Sequence, residues 1–180
     1  KTTSLEDLDS DTEWVAIVTD DAEAYLNEIN AIVTKMKHPK TCFVIDLHPC
    51  ANYKHLQKLW DNYMMVDRES VEVLLSFIHH HLVNHSMISF TIQDFRVCSV
   101  PYPFVKAVSA DIVKDAPIDP NAQAMCYGLC FEQACGLGTS YVNAFAKTTD
   151  KIDEDKSVPW SIQNSSDNVI EAIFFYERKF

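Results

Sequence analysis

Glycine is almost missing from this sequence. Only three occur in 180 residues, at 128, 136 and 138, so a Gly-rich phosphate loop of the Walker or dinucleotide-binding type is nearly excluded. A disulfide framework is missing too. Six cysteines (42, 50, 98, 126, 130 and 135) are scattered with no Cys-x-x-Cys, which reads as reduced, largely buried thiols of an intracellular protein. No apolar run reaches the length of a membrane span. Basic charge is scarce: 15 Lys and Arg stand against 26 Asp and Glu, a net charge of −11. That balance repels a phosphate backbone, argues against direct nucleic-acid binding and suits a basic partner such as an Arg- or Lys-containing peptide.

What is present is apolar and aromatic. A hydrophobic share of 47%, with ten Phe, seven Tyr and three Trp, supplies enough area for one compact domain or two small subdomains sharing a core. Lys1 is not an initiator Met, so the chain reads as a fragment of a longer one.

Taken in order, residues 1–12 are acidic and polar and read as a flexible lead-in. Residues 13–19 form an apolar strand. A helix follows, capped by Thr19 or Asp20, with Ala22, Leu26, Ile29, Val33 and Met36 at helical spacing until His38-Pro39. Residues 41–47 are a second strand, and from Tyr53 to Met64 the positions Tyr53, Leu56, Leu59 or Trp60 and Tyr63 outline a short helix or an irregular aromatic loop. Val71, Val73, Leu75 and Phe77 alternate, so residues 69–78 are predicted as a strand. A strand from Met87 to Ile92 breaks at Gln93-Asp94-Phe95-Arg96 and resumes over residues 97–100, before a Pro101-Tyr102-Pro103 turn. Residues 105–113 fit either helix or strand. Residues 123–131 are a strand, Thr139 caps a helix to about Lys147, residues 148–157 are a charged linker, and residues 169–176 close as a strand.

This order, with Phe90-Thr91-Ile92-Gln93-Asp94-Phe95-Arg96 standing where the family ends a strand in Asp-Tyr-Gly-Asn, resembles the extended Tudor domain. Pro120-Asn121-Ala122-Gln123-Ala124-Met125-Cys126-Tyr127-Gly128-Leu129 is similar to that family's Pro-x-x-Ala strand with its Cys and Leu. The resemblance implies an α+β, β-rich fold in which a Tudor-like barrel joins an OB/SN-like subdomain. The barrel would span residues 41–117, and the SN-like part 13–40 with 118–180. It implies a non-catalytic module that binds an Arg-containing peptide of a partner, a Piwi-class Argonaute of cytoplasmic germ granules in the piRNA pathway. Phe90, Asp94, Phe95 and Tyr102 would be the peptide-binding residues. Arg96-Val97 stands where the family has Gly-Asn, and no Trp-Tyr-Arg-like strand precedes it. Both departures count against methylarginine recognition and leave a peptide cleft between the subdomains. No cofactor, metal or membrane contact is expected.

Other constellations compete. Gln133-Ala134-Cys135-Gly136 is caspase-like, with His85 about fifty residues upstream, so a cysteine hydrolase centred on Cys135 is the runner-up. Leu137 replaces the motif's final Gly, and a buried structural cysteine is the plainer reading. A structural or dimerising α/β domain is the third. His48, Cys50 and His55, or His79-His80-His81 with His85, offer metal ligands at irregular spacing, and partly exposed turn histidines are favoured over a metal site. Asp46 and Asp94 end predicted apolar strands, and a carboxylate beside Phe90 and Phe95 suits a guanidinium.

Overall fold

The computed structural model describes residues 12–36, 41–48, 50–83, 91–132, 138–152 and 154–177. It divides into two compact units, Lys1–Val66 and Asp67–Phe180. The predicted lead-in apart from its last residue, His38-Pro39, His85, the Met87–Phe90 part of the predicted strand and Cys135 lie outside the described residues.

The first unit is a βαβαβ succession. Strand β1 (Val15–Thr19), helix α1 (Leu26–Lys35), β2 (Cys42–Asp46), α2 (Tyr53–Leu59) and β3 (Asn62–Val66) follow one another. All three strands are parallel, with Val15 opposite Cys42 and Phe43 opposite Asn62. Every residue of β2 and β3 is buried, as expected for parallel strands covered on both faces, which read as continuous apolar runs without alternation. Without alternation to mark the strand, residues Tyr53 to Met64 read as a short helix or an aromatic loop, whereas the structure ends α2 at Leu59 and makes Asn62–Val66 a strand.

The second unit holds a four-stranded mixed sheet in the order β4-β7-β5-β6. Its strands are β4 (Phe104–Asp111), β5 (Ala124–Phe131), β6 (Trp160–Asn164) and β7 (Val169–Tyr176). β7 runs antiparallel to both β4 and β5, and β6 runs parallel to β5. Helix α5 (Gly138–Thr149) covers one face, where Phe145 packs edge-on to Tyr127 at 5.1 Å and lies 5.7 Å from Trp160. The other face carries Phe175, which meets Phe95 of α4 (Ile92–Ser99) at 5.4 Å. Phe95 in turn meets Phe77 of α3 (Val71–Phe77) at 6.2 Å.

These elements correct the expected Tudor barrel with an OB-like subdomain: the architecture is α/β. Two helices account for most of the difference. Residues 92–99 were read as a strand break and resumption, yet Phe95, Cys98 and Ser99 are the buried positions, a spacing of three and four that only a helix provides. Thr91 caps this helix in a reciprocal capping box with Asp94. Residues 71–77 show apolar alternation, but Leu74, Phe77, Ile78 and His81 are buried instead, again one helical stripe. The helix then widens into a π-helical segment, Ile78–Val83. Residues 104–111 resolve as strand β4, and strand β6 lies beyond the expected linker, in a stretch to which the sequence reading assigns no element. Among the described residues no helix is long and apolar enough to cross a membrane.

Candidate functional site

Ligands of open α/β sheets gather at the carboxyl ends of parallel strands, and in the first unit that edge is built around Asp46. This residue ends β2, as read from the sequence, and is 1% exposed. Its Oδ2 accepts a hydrogen bond from the Tyr63 hydroxyl at 2.9 Å, and its Oδ1 accepts from the His48 N–H at 3.1 Å. The backbone of Ala22 also donates to it. One carboxylate therefore ties together the β1–α1 loop, the β2–α2 loop and β3. Burial pushes the Asp46 carboxyl above the usual range, opposed by the Tyr63, His48 and Ala22 hydrogen bonds, while Asp21 pushes it further up. Beside it, Glu23 accepts from Asn52 Nδ2 at 2.7 Å and lies 3.3 Å from the Cys50 thiol. Burial raises Cys50, as does the neighbouring Glu23. This edge is acidic, hydrogen-bonded and suited to a cation or to a structural proton.

A second constellation lies in the other unit, over the middle of the mixed sheet. Gly128 of β5 is paired with Ser161 of β6 on one side and Glu171 of β7 on the other, so all three share one rung and one face. Cys130 lies two residues along on that face. His81 descends onto this row from the π-helical segment. Its Nδ1 is 2.7 Å from Ser161 Oγ, and its Nε2 is 3.4 Å from Cys130 Sγ and 3.3 Å from Glu171 Oε2. The ring fits only because residue 128 has no side chain: a Cβ there would overlap it. His81, Ser161, Cys130 and Glu171 are all buried. Burial, followed by the Glu171 and Asp167 charges, pushes the Cys130 thiol up to about 12.

The residues singled out for peptide binding are placed differently. Asp94 is exposed and its Oδ2 accepts from the Thr91 N–H at 2.7 Å and from the Thr91 hydroxyl at 2.8 Å, bonds that hold its carboxyl below the usual range. Phe95 is wholly buried between Phe77 and Phe175. Tyr102 is half-buried in the turn before β4. Phe90 lies outside the described residues. Sequence reasoning missed the Asp46–Tyr63 bond and the Gly128 row. The isolated glycine inside an apolar strand was the one local sign of close approach at that row.

No protein-family model matches the sequence, and no curated protein does. Solved structures do. CetZ from Methanosaeta thermophila is 11% identical with a TM-score of 0.56, and the match covers 92% of this chain and 62% of that one. TubZ of Bacillus thuringiensis serovar israelensis, solved as GDP-form protofilaments, is 9% identical with a TM-score of 0.46, covering 89% of this chain and 60% of TubZ. An FtsZ of M. jannaschii is 8% identical with a TM-score of 0.41, covering 89% and 55% respectively. This chain thus spans less than two thirds of the length of the structures it resembles.

The CetZ likeness overturns what the Tudor resemblance implied. The Arg-peptide function, the Argonaute partner, the piRNA and germ-granule setting and the non-catalytic status were all inherited from a fold the chain does not have. The cysteine-hydrolase alternative gains no support either, since its Cys135 and His85 lie outside the described residues. At this level of identity the likeness establishes architecture alone: the chain has an α/β fold like that of CetZ.

Proposed function

We propose that this chain is part of a self-associating GTPase of the tubulin/FtsZ kind, whose copies assemble into protofilaments. The observation that carries the reading is the CetZ likeness across 92% of the chain.

The fold implies a guanine nucleotide, and the residues at the carboxyl edge of the first unit do not fit its phosphates. A phosphate site at such an edge uses free backbone N–H groups and small residues after the first strand. Here the chain runs Thr19-Asp20-Asp21-Ala22-Glu23-Ala24 with no glycine. The Asp21 N–H is taken by Thr19 Oγ1 at 3.2 Å and the Ala24 N–H by Asp21 Oδ1 at 2.9 Å. Three carboxylates at 20, 21 and 23 would repel a phosphate. No hydrolytic step follows from these residues.

The test is sedimentation and negative-stain electron microscopy of the full chain with GTP, GDP or no nucleotide, with phosphate release followed in parallel. Nucleotide-dependent pelleting into linear polymers is the expected result. A chain that stays monomeric in all three conditions and releases no phosphate would overturn the reading.

A further inference from the structure

The row over Gly128 holds a buried carboxyl oxygen that accepts no hydrogen bond among the described residues. It is Oε2 of Glu171, a residue 4% exposed. It lies 3.3 Å from His81 Nε2 without hydrogen-bond geometry. A buried carboxyl oxygen left so is unfavourable unless a cation or a donor answers it. Around that oxygen stand donors of other types. Cys130, His80 and Glu171 each offer a ligand atom within 4.8 Å of the others. His80 Nδ1 is 4.0 Å from Glu171 Oε2, and 29% of the His80 side chain remains exposed.

We propose that His81, Cys130 and Glu171, with His80 as the fourth ligand, form a binding site for a divalent metal ion of the zinc type. Zinc bonds of about 2.0–2.3 Å in a tetrahedron set neighbouring ligand atoms roughly 3.3–3.7 Å apart. The separations of His81 Nε2 from Glu171 Oε2 and Cys130 Sγ, 3.3 and 3.4 Å, match that edge. To complete the tetrahedron the partly exposed His80 ring must leave Ser76 Oγ, 3.3 Å from its Nδ1, and move inward from its 4.0 Å separation from Glu171 Oε2. Imidazole, thiolate and carboxylate are a mixed donor set that zinc accepts.

The outer shell and the charge balance agree. With a metal bound, the His81 tautomer protonated at Nδ1 would donate to Ser161 Oγ, 2.7 Å away, and turn the Nε2 lone pair towards Cys130 and Glu171, the arrangement by which a second-shell oxygen orients a ligating histidine. On binding, Cys130 loses its proton to solvent. Thiolate and carboxylate then neutralise the two positive charges, so the buried assembly carries no net charge. The π-helical widening brings consecutive histidines to one carboxylate, and such segments recur at functional sites. This proposal stands on the second unit alone and is independent of the filament reading.

The experiment is titration of the metal-stripped full chain with Co²⁺, watching for the thiolate-to-cobalt charge-transfer band and the intense visible bands of tetrahedral cobalt, followed by displacement with Zn²⁺. Equimolar uptake with both features is expected. His80→Ala, at a partly exposed position that does not threaten folding, should weaken uptake at least tenfold, Cys130→Ala should abolish the charge-transfer band, and Cys126→Ser should leave it intact. No band in the unmodified chain, or a band that survives Cys130→Ala, would overturn the site. Unchanged affinity in His80→Ala would remove the fourth ligand. Should Cys130→Ala fail to fold, Glu171→Gln reads the same question through lost affinity.

Discussion

Replacing Gly128 by Ala tests the central geometry of the second unit, because the two possible outcomes have opposite signs. No φ in the left-handed range accompanies Gly128. Ala is therefore compatible with the backbone, and on chain entropy alone the change should stabilise by about 0.4–1 kcal/mol. The structure says otherwise. A Cβ at 128 would overlap the His81 ring, which is wholly buried, lies 5.1 Å from the Phe77 ring and is held 2.7 Å from Ser161 Oγ. Overpacking of this kind costs about 1–3 kcal/mol. Tearing the buried imidazole from Ser161 adds roughly 1–3 kcal/mol, and contacting groups do not add fully, so about 2–4 kcal/mol of destabilisation is expected. Urea unfolding reads this as a fall in midpoint of about 1–2 M at unchanged slope, and hydrogen exchange of the β5 amides localises it to the second unit. In a His81→Ala background the same substitution should lose most of its cost. A neutral or stabilising Gly128→Ala in the unmodified chain would refute the packing of His81 against the sheet.

Three further outcomes follow from single residues. Phe95→Ala should cost about 3–5 kcal/mol, since Phe95 is wholly buried against Phe77 and Phe175, and a loss below about 1 kcal/mol by urea unfolding would contradict the docking of α4. Thr91→Ala removes half of the capping box and should cost about 1 kcal/mol at neutral pH. Because the Asp94 carboxyl is held below its usual value of 3.8, the stability it contributes is present above that value and is lost as pH falls through the folded pKa. The Thr91→Ala difference should therefore shrink in acid, and growth of the difference there would be incompatible with the capping box. Asp46 behaves oppositely. Its folded pKa is raised above 3.8 by burial, so its contribution is fully present below that value and is lost as pH rises through the folded pKa. The stability of the unmodified chain relative to Asp46→Asn should decline as pH rises from about 4 towards neutrality, and unfolding curves at a series of pH values that run the other way would show that Asp46 is not held buried.

Local pattern was enough for several elements. The apolar strand before Thr19, the strand ending at Asp46, the long run of β5 and the closing strand β7 could each be read from residue order, because a buried strand needs only β-prone residues between turn signals. So could α5 and the turn at Pro101-Tyr102-Pro103. Helices α3 and α4 could not. Val71, Val73, Leu75 and Phe77 satisfy the strand period while Leu74, Phe77, Ile78 and His81 satisfy the helical one, and only the sheet surface beneath Leu74 and Phe77 selects the helix. Thr91 and Asp94 spell a capping box in a stretch that reads as a strand break, and that reading, with the Pro120–Leu129 strand, carried the Tudor resemblance. The two sites were less legible still. Asp46 could be placed at a strand end, but its partner Tyr63 comes from the neighbouring parallel strand, seventeen positions away. Ser161, Gly128 and Glu171 lie far apart in order and become one rung through strand pairing. His81 joins them because a helix widens by one residue above a glycine. Residue order thus determined where strands begin and end, while register and packing decided which polar atoms meet, since a hydrogen bond or a ligand sphere depends on distances that only the folded chain sets.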